Sequence, residues 1–408
     1  MLYFIYLILI FFILFDYKKN KNIFSPVKVF NFIWLITLLL YSFKLSYVQR
    51  NLSLSTECIF LIIILSYDIF YFIFEKFKFR NIKFKLFTSK YKISTKIKMV
   101  NLFFILLFLI ECIYCKGFPL LFSFTKGNNN YLNYGIPSLH GFLNCIAICM
   151  GSYYLFKKDP RKYIYIIFAL LTLSRQVFMS FIVEGIVYYF FTKLRANHQN
   201  NIDDISVRQV LGKSILKFFI LFVVLIILFS VVGNFRSGSN TMKIVFRPLP
   251  NFEKLPTSIM WIYSYMTFSL SNFDKLVSMT SGFVNYGAST LNFFLPTVII
   301  NSFNLTPNWN ENYLVQSNFN VSTAFPEIYL DFGVLGLILF SIFISYFGNK
   351  LYRNLKKDLS DKNILMFAVY IHNIIFIFFV NMFLYIPIFF QFIFIPLIFR
   401  EEDSFGKD

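Results

Sequence analysis

The residues of this chain that could do chemistry are few and sit in unusual places. "TLSRQVFMSFIVEG" puts Arg175 and, nine residues on, Glu184 inside a run that is otherwise apolar from Tyr163 to Thr192. His140 stands in "GIPSLHGFLN", Arg236 in "VVGNFRSGS" with Arg247 close behind, and Glu327 and Asp331 in "NVSTAFPEIYLDFGVLG". Arginine presents a planar fork that grips phosphate bidentately, and it stays charged where lysine can lose its proton. A histidine or carboxylate beside such arginines can accept the proton of a hydroxyl that attacks a phosphate-activated centre. Thr323, Glu327 and Asp331 recur at four-residue spacing and share a face wherever that stretch is helical. Glu184 lies half a helical rotation from Arg175, so its partner is expected on another helix.

Other chemistries lack their residues. Cys58, Cys112, Cys115, Cys145 and Cys149 lie in or beside apolar runs, and the lone CxxC at Cys112 and Cys115 has no second pair. Such thiols read as small buried hydrophobes rather than metal or redox groups. There is no Walker or Rossmann glycine pattern and no metal-ligand spacing, so metal-free and cofactor-free transfer is expected.

The elements that must hold these residues belong in a bilayer. The 408 residues are 57% hydrophobic, 22% aromatic and only 14% charged, with a mean hydropathy of +0.64, far from the soluble globular range. A net charge of +19 would point to nucleic acid in a soluble domain, but here its meaning depends on position. Lys, Asn, Ile, Phe and Tyr abound together, as AT-rich coding produces; that explains the total and not its distribution. Apolar runs of spanning length are Leu2–Phe15, Val27–Phe43, Cys58–Phe74, Met99–Cys115, Ile136–Phe156, Ile215–Val232 and Phe332–Phe347. Crossing about 30 Å of hydrocarbon takes roughly 20 helical residues. The first run lacks a basic leader and a small-residue cleavage site, so it reads as a retained span.

Two longer runs, Tyr163–Thr192 and Ile364–Phe399, decide the topology. Basic connections occur at Lys18–Lys28, Lys76–Lys98, Lys157–Lys162, Lys193–Lys217 and Lys350–Lys362. All five fall on the cytoplasmic side, as the positive-inside rule requires, only if Tyr163–Thr192 is a hairpin; Ile364–Phe399 is expected to be a second hairpin, turning near Asn381, which keeps the tail cytoplasmic. The expectation is an all-α polytopic membrane protein, a single domain over residues 1–408, with about eleven transmembrane helices. Its N-terminus lies outside and its C-terminus in the cytoplasm. Residues 233–329 then form a long extracytoplasmic loop, punctuated by prolines. Within it "SIMWIYSYMTFSLSNF" (Ser258–Phe273) and "STLNFFLPTVIINSF" (Ser289–Phe303) suit short interfacial or re-entrant helices. Its aromatic residues could cover sugar rings or rest on lipid headgroups.

That topology brings His140, Arg175, Arg236, Arg247, Glu327 and Asp331 to one outer level. Each has a plainer alternative. Arg236, Arg247 and Asp331 could be interfacial charges that snorkel, and His140 a helix-packing donor. Several arginines at lipid depth beside carboxylates and a histidine favour a lipid diphosphate as ligand.

The succession "NIFSPVKVFNFIWLITLLLYS", "GFPLLFSFTKGNNNYLNYGIPSLHGFLN", "TLSRQVFMSFIVEG", "GNFRSGS" and "NVSTAFPEIYLDFGVLG" resembles the Wzy-type polymerases of O-antigen and capsule repeat units. The resemblance implies a glycosyltransferase of the bacterial cytoplasmic (inner) membrane. Such an enzyme moves a growing polysaccharide from undecaprenyl diphosphate onto the next undecaprenyl-diphosphate-linked oligosaccharide. It implies external arginines holding diphosphate, at positions matching Arg175 and Arg236, with Arg247 a further candidate. A chain-length regulator and a flippase of the same pathway would be partners, alongside the lipid bilayer. The base is expected to be His140, with Glu327 or Asp331 next. Rival readings are an O-antigen ligase-like transferase and a lipid-linked oligosaccharide flippase; the flippase would carry polar groups along a path through the bilayer rather than at one outer site.

Overall fold

The computed structural model describes residues 1–77, 92–125, 134–196, 239–295, 297–302 and 311–399. Among them there is no strand, only an isolated antiparallel bridge between Ser46 and Pro248. In chain order the helices are α1 (Leu2–Lys19), α2 (Pro26–Ser42), α3 (Leu54–Lys76), α4 (Ile93–Tyr114), α5 (Pro119–Thr125), α6 (Leu139–Tyr154), α7 (Lys162–Leu171) and α8 (Arg175–Ala196). They continue with α9 (Ser239–Phe246), α10 (Thr257–Met279), α11 (Ala288–Asn292), α12 (Thr297–Ser302), α13 (Pro326–Lys357), α14 (Asp361–Ile375), α15 (Ile386–Phe389) and α16 (Gln391–Ile398). Four described stretches, Leu54–Lys76, Ile93–Phe122, Arg175–Ala196 and Pro326–Lys357, are long and apolar enough to cross a membrane. The Pro26–Ser42, Lys162–Leu171 and Ile386–Ile398 helices are apolar but shorter. The run Ile215–Val232 and Arg236 lie outside the described residues.

Both long apolar runs break. The Thr172 N–H and hydroxyl both bond the Phe168 carbonyl, Leu173 takes a left-handed φ of 51°, and α8 starts at Arg175. The ten residues of α7 reach only about 15 Å, half the depth of the hydrocarbon. In the second run α14 stops at Ile375, and Asn381 sits in the turn, accepting from the Phe383 N–H and donating to the Ala324 carbonyl.

The helices gather into two compact units. Unit 1 comprises Met1–Glu75, Gln199–Tyr352 and Asn373–Leu384; unit 2 comprises Lys76–His198, Arg353–His372 and Tyr385–Asp408.

In unit 1, aromatic rings fill the space between α2, α3 and the segment before α13. Phe30 stacks on Tyr67 at 3.8 Å, and Trp34, Phe60, Phe273 and Phe325 pack together. At one end Lys28 lies 3.6 Å from Asp16, Lys19 pairs with Glu75, and Asn20 and Asn22 donate to the Tyr352 hydroxyl. The connection Lys18–Lys28 and the C-terminal ends of α3 and α13 therefore share that end.

Helix α10 lies across the opposite end. The Tyr263 hydroxyl bonds the Leu40 carbonyl and Gln49, while Asp274 accepts from the Ser53 N–H and hydroxyl. These two residues are eleven apart and so about 16 Å along the axis, yet both meet the connection between α2 and α3. The helix is longer than the expected Ser258–Phe273 piece, running 23 residues from Thr257 to Met279. Its polarity is answered by neighbours: Ser269 donates to the Phe378 carbonyl, and Asn272 to those of Phe319 and Val321. The expected Ser289–Phe303 piece is short and broken, into α11 and α12.

In unit 2, α6 packs between α8 and α7. Glycines make the approach close, since a Cβ on Gly185 would sit 2.8 Å from Leu155 Cδ2. Asn101 of α4 accepts from the Tyr165 hydroxyl of α7 and donates to the Tyr154 hydroxyl of α6. At one end Arg195 bonds the Leu359 carbonyl and Asp361, Arg161 grips Asp159, and the Lys157 ammonium sits over the Tyr153 ring. Burial pushes the Lys157 ammonium down to about 8, and Arg161 holds the Asp159 carboxyl below its ordinary range. Basic segments at Lys157–Lys162, after Lys193 and at Arg353–Lys362 thus meet at one end of this unit.

Candidate functional site

The other end of unit 2 carries His140 and Arg175. Glu111 lies in the last turn of α4 with its side chain fully buried, and His140 lies in the first turn of α6. The connection between them folds back through residues 134–138, with Gly135 at φ 111° and Ser138 at φ 67°. His140 Nδ1 then stands 3.1 and 3.2 Å from the two Glu111 oxygens, and the Ile136 N–H donates to Oε1. A Cβ on Gly135 would sit 2.7 Å from His140 Cβ and Cγ and 3.1 Å from Glu111 Oε1. Only glycine combines that φ with that proximity.

The Tyr134 ring meets the imidazole edge-on at 5.5 Å, and Phe168 lies 6.4 Å away. His140 keeps 27% of its side chain exposed while Glu111 keeps none. A carboxylate facing Nδ1 selects the tautomer protonated there and leaves Nε2 as the basic nitrogen. This is the arrangement a general base needs: an oriented imidazole in a partly exposed side chain. Phe168 closes the last turn of α7, Thr172 caps that helix on Phe168, and Arg175 opens α8. His140 and Arg175 therefore occupy the same end of the unit, with Arg175 half-buried. Glu111 escaped the reading of the sequence, although it is a lone carboxylate in "FFILLFLIECIYC".

Unit 1 holds Arg247, Glu327 and Asp331. Arg247 is exposed, with φ 48°, and its carbonyl accepts from the Tyr47 N–H, so its backbone fastens the connection after α2. Asp331 is buried and fully engaged. Its oxygens accept from the Ser289 N–H, the Thr290 N–H and the Thr290 hydroxyl at 3.1, 2.7 and 2.7 Å. Gly333, at φ 58° and ψ −152°, breaks α13 just beyond. The Leu330 carbonyl accepts instead from the Val284 and Asn285 N–H groups. Glu327 lies one turn before Asp331 on the helix, and its buried Oε2 has no hydrogen-bond partner among the described residues. Thr323 precedes the helix, so of the three residues at four-residue spacing only Glu327 and Asp331 are helical.

All five cysteines are free thiols, with Cys112 Sγ 3.7 Å from the Tyr134 hydroxyl. Among the described residues no three His, Cys, Asp or Glu side chains cluster as metal ligands would. No known protein family, curated protein or solved structure matches the chain.

Proposed function

We propose that the chain is a membrane glycosyltransferase. It polymerises undecaprenyl-diphosphate-linked oligosaccharide repeat units into O-antigen or capsule at the outer face of the bacterial cytoplasmic membrane. The observation that carries the reading is the Glu111–His140 pair on the end of unit 2 where Arg175 begins its helix. His140 Nε2 takes the proton of the attacking sugar hydroxyl. The hydroxyl oxygen bonds to the anomeric carbon as the bond from that carbon to the diphosphate breaks, which inverts the configuration. Arg175 stabilises the charge growing on the departing diphosphate, a role that strengthens where water is scarce; Arg236, the other position matching the family, and Arg247, a looser one, are diphosphate-binding candidates by the resemblance alone. Glu111 holds the imidazole, and Asp331 holds the segment around Ser289 and Thr290 rather than a substrate proton. Glu327 stays in reserve as an alternative base. About eleven spans with an outside N-terminus, and a largely extracytoplasmic 233–329 region, belong to the same proposal. The separate gathering of basic connections at one end of each unit supports it.

A lipid-linked oligosaccharide flippase is the second reading. Polar pairs inside each unit favour it, Asn31 with Asp68 in unit 1 and Glu184 with His372 in unit 2. Deleting the gene and resolving surface glycan by size separates the two. A polymerase predicts that single capped repeat units persist while the ladder disappears, whereas loss of all capped material favours the flippase or a ligase. Arg175→Lys keeps the charge and removes the fork, so a full ladder at normal protein level would refute the diphosphate assignment.

A further inference from the structure

The segment that joins α10 to α13 in unit 1 carries an apolar surface that the reading above does not use. Between Lys275 and Glu311 the sequence has no Asp, Glu, Lys, Arg or His. Large apolar side chains are nonetheless turned outward there: Phe283 is 50% exposed, Tyr286 82%, Leu291 60% and Phe294 62%. A surface of this kind facing water is rare and marks an interaction site.

Backbone geometry holds these side chains outward. Phe283 and Tyr286 take left-handed φ of 58° and 48°, a conformation that bulky residues keep only where their surroundings enforce it. The start of α13 enforces it. The Leu330 carbonyl accepts from the Val284 and Asn285 N–H groups at 2.7 and 3.1 Å. The Tyr329 hydroxyl donates to the Thr280 carbonyl, and Asp331 accepts from the Ser289 and Thr290 N–H groups. A Cβ on Gly282 would sit 2.7 Å from Gly333 Cα, and the Phe332 ring lies against Gly287. The segment is therefore fixed to the first turns of α13, and its depth follows from that helix.

Helix α13 is long and apolar enough to cross a membrane, and after Asp331 its next charged residue is Lys350. About 20 helical residues cover the hydrocarbon. Counted back from Lys350 they reach Leu330, the residue that holds the segment. Leu335, Leu339 and Phe343 of α13 are exposed, and Phe332 continues their apolar surface to the turn at Gly287. The outward rings thus stand where the hydrocarbon ends, the level at which aromatic side chains collect in membrane proteins. A sugar-binding surface would need polar groups beside its rings. Here the Thr290 hydroxyl and the Asn285 amide nitrogen are turned onto Asp331 and Ser289 instead.

We infer that residues 280–294 form a fixed membrane-interface anchor, with Phe283, Tyr286, Leu291 and Phe294 seated at the boundary between phospholipid headgroups and acyl chains. The anchor sets the depth of α13 and needs nothing from the reaction assigned to His140.

The test uses the full-length chain without its native cysteines, in phospholipid nanodiscs. Nitroxide labels at Tyr286→Cys, Leu291→Cys and Lys254→Cys are read by electron paramagnetic resonance. Oxygen concentrates in the bilayer and a neutral nickel chelate in water, so their relative effects on each label report its depth. Oxygen should have the larger effect at Tyr286→Cys and Leu291→Cys, with the order reversed at the exposed Lys254 position. A larger chelate effect at the first two positions marks a water-facing surface, such as a glycan would use, and overturns the anchor. Weak effects of both reagents there mark cover by protein and overturn it equally. If the cysteine-free chain does not fold, Tyr286→Trp in the otherwise unaltered chain decides. Phospholipids brominated beside the acyl carbonyl should then quench a larger fraction of its emission than of the wild type's three tryptophans; an equal or smaller fraction overturns the anchor.

Discussion

At the scale of single residues, the candidate site rests on a pair that only folding brings together. His140 and Arg175 were legible as polar residues stranded in apolar sequence. Glu111 was not, because it lies 29 residues before His140 and meets it only when the connection turns back through Gly135. The partners of Glu184 are hidden in the same way, with Gln391 207 residues away. His140→Gln is expected to lower polymerisation by about 10²- to 10⁴-fold, the usual contribution of a general base. Glu111→Gln should follow it at unchanged protein level, with Glu111→Asp restoring part of the activity, all read as ladder intensity at matched expression. A Glu111→Gln strain with a normal ladder would remove the carboxylate from the account. Asp331 belongs to stability instead. Asp331→Ala orphans the Ser289 and Thr290 N–H groups and should cost about 1–3 kcal/mol, measured as a lowered unfolding midpoint in detergent.

At the scale of elements, helix existence was easier to read than helix ends. Apolar runs marked most of the described helices. Charge distribution called for the break beside Arg175, where no glycine or proline punctuates the chain and Leu173 takes the left-handed turn. Helix α10 extends beyond the stretch its sequence marks because its serines and Asn272 look like loop residues until the carbonyls of Phe319, Val321 and Phe378 are in place. The bend in α13 is where backbone geometry is most demanding. Gly333 adopts a conformation open essentially to glycine alone, and a Cβ there would lie 2.7 Å from the Phe283 ring. Gly333→Ala is therefore expected to destabilise the protein by about 1–3 kcal/mol. A thermal midpoint equal to wild type would show that the bend is dispensable.

At the scale of the whole molecule, composition already announced helices in a bilayer, and four described stretches have the length and apolarity to cross one. The two-unit division was not legible, because each unit is assembled from three separated pieces of chain and no linker composition marks the joins. Sidedness is testable in a background without the native cysteines. Lys158→Cys should react with a membrane-impermeant thiol reagent only after permeabilisation, and Asn51→Cys should react in intact cells. The reverse pattern would invert the proposed orientation and move His140 and Arg175 to the cytoplasmic face. Glycosyl transfer at the His140 end of unit 2 is tested most directly with the purified chain. Wild-type and His140→Gln protein are incubated with undecaprenyl-diphosphate-linked repeat units from the host cell, and glycan length and freed lipid diphosphate are measured together. The account predicts chains of many repeats from the wild type, one lipid diphosphate released for each bond formed, and almost none from His140→Gln; repeat units that stay monomeric with active, folded wild-type protein would contradict it.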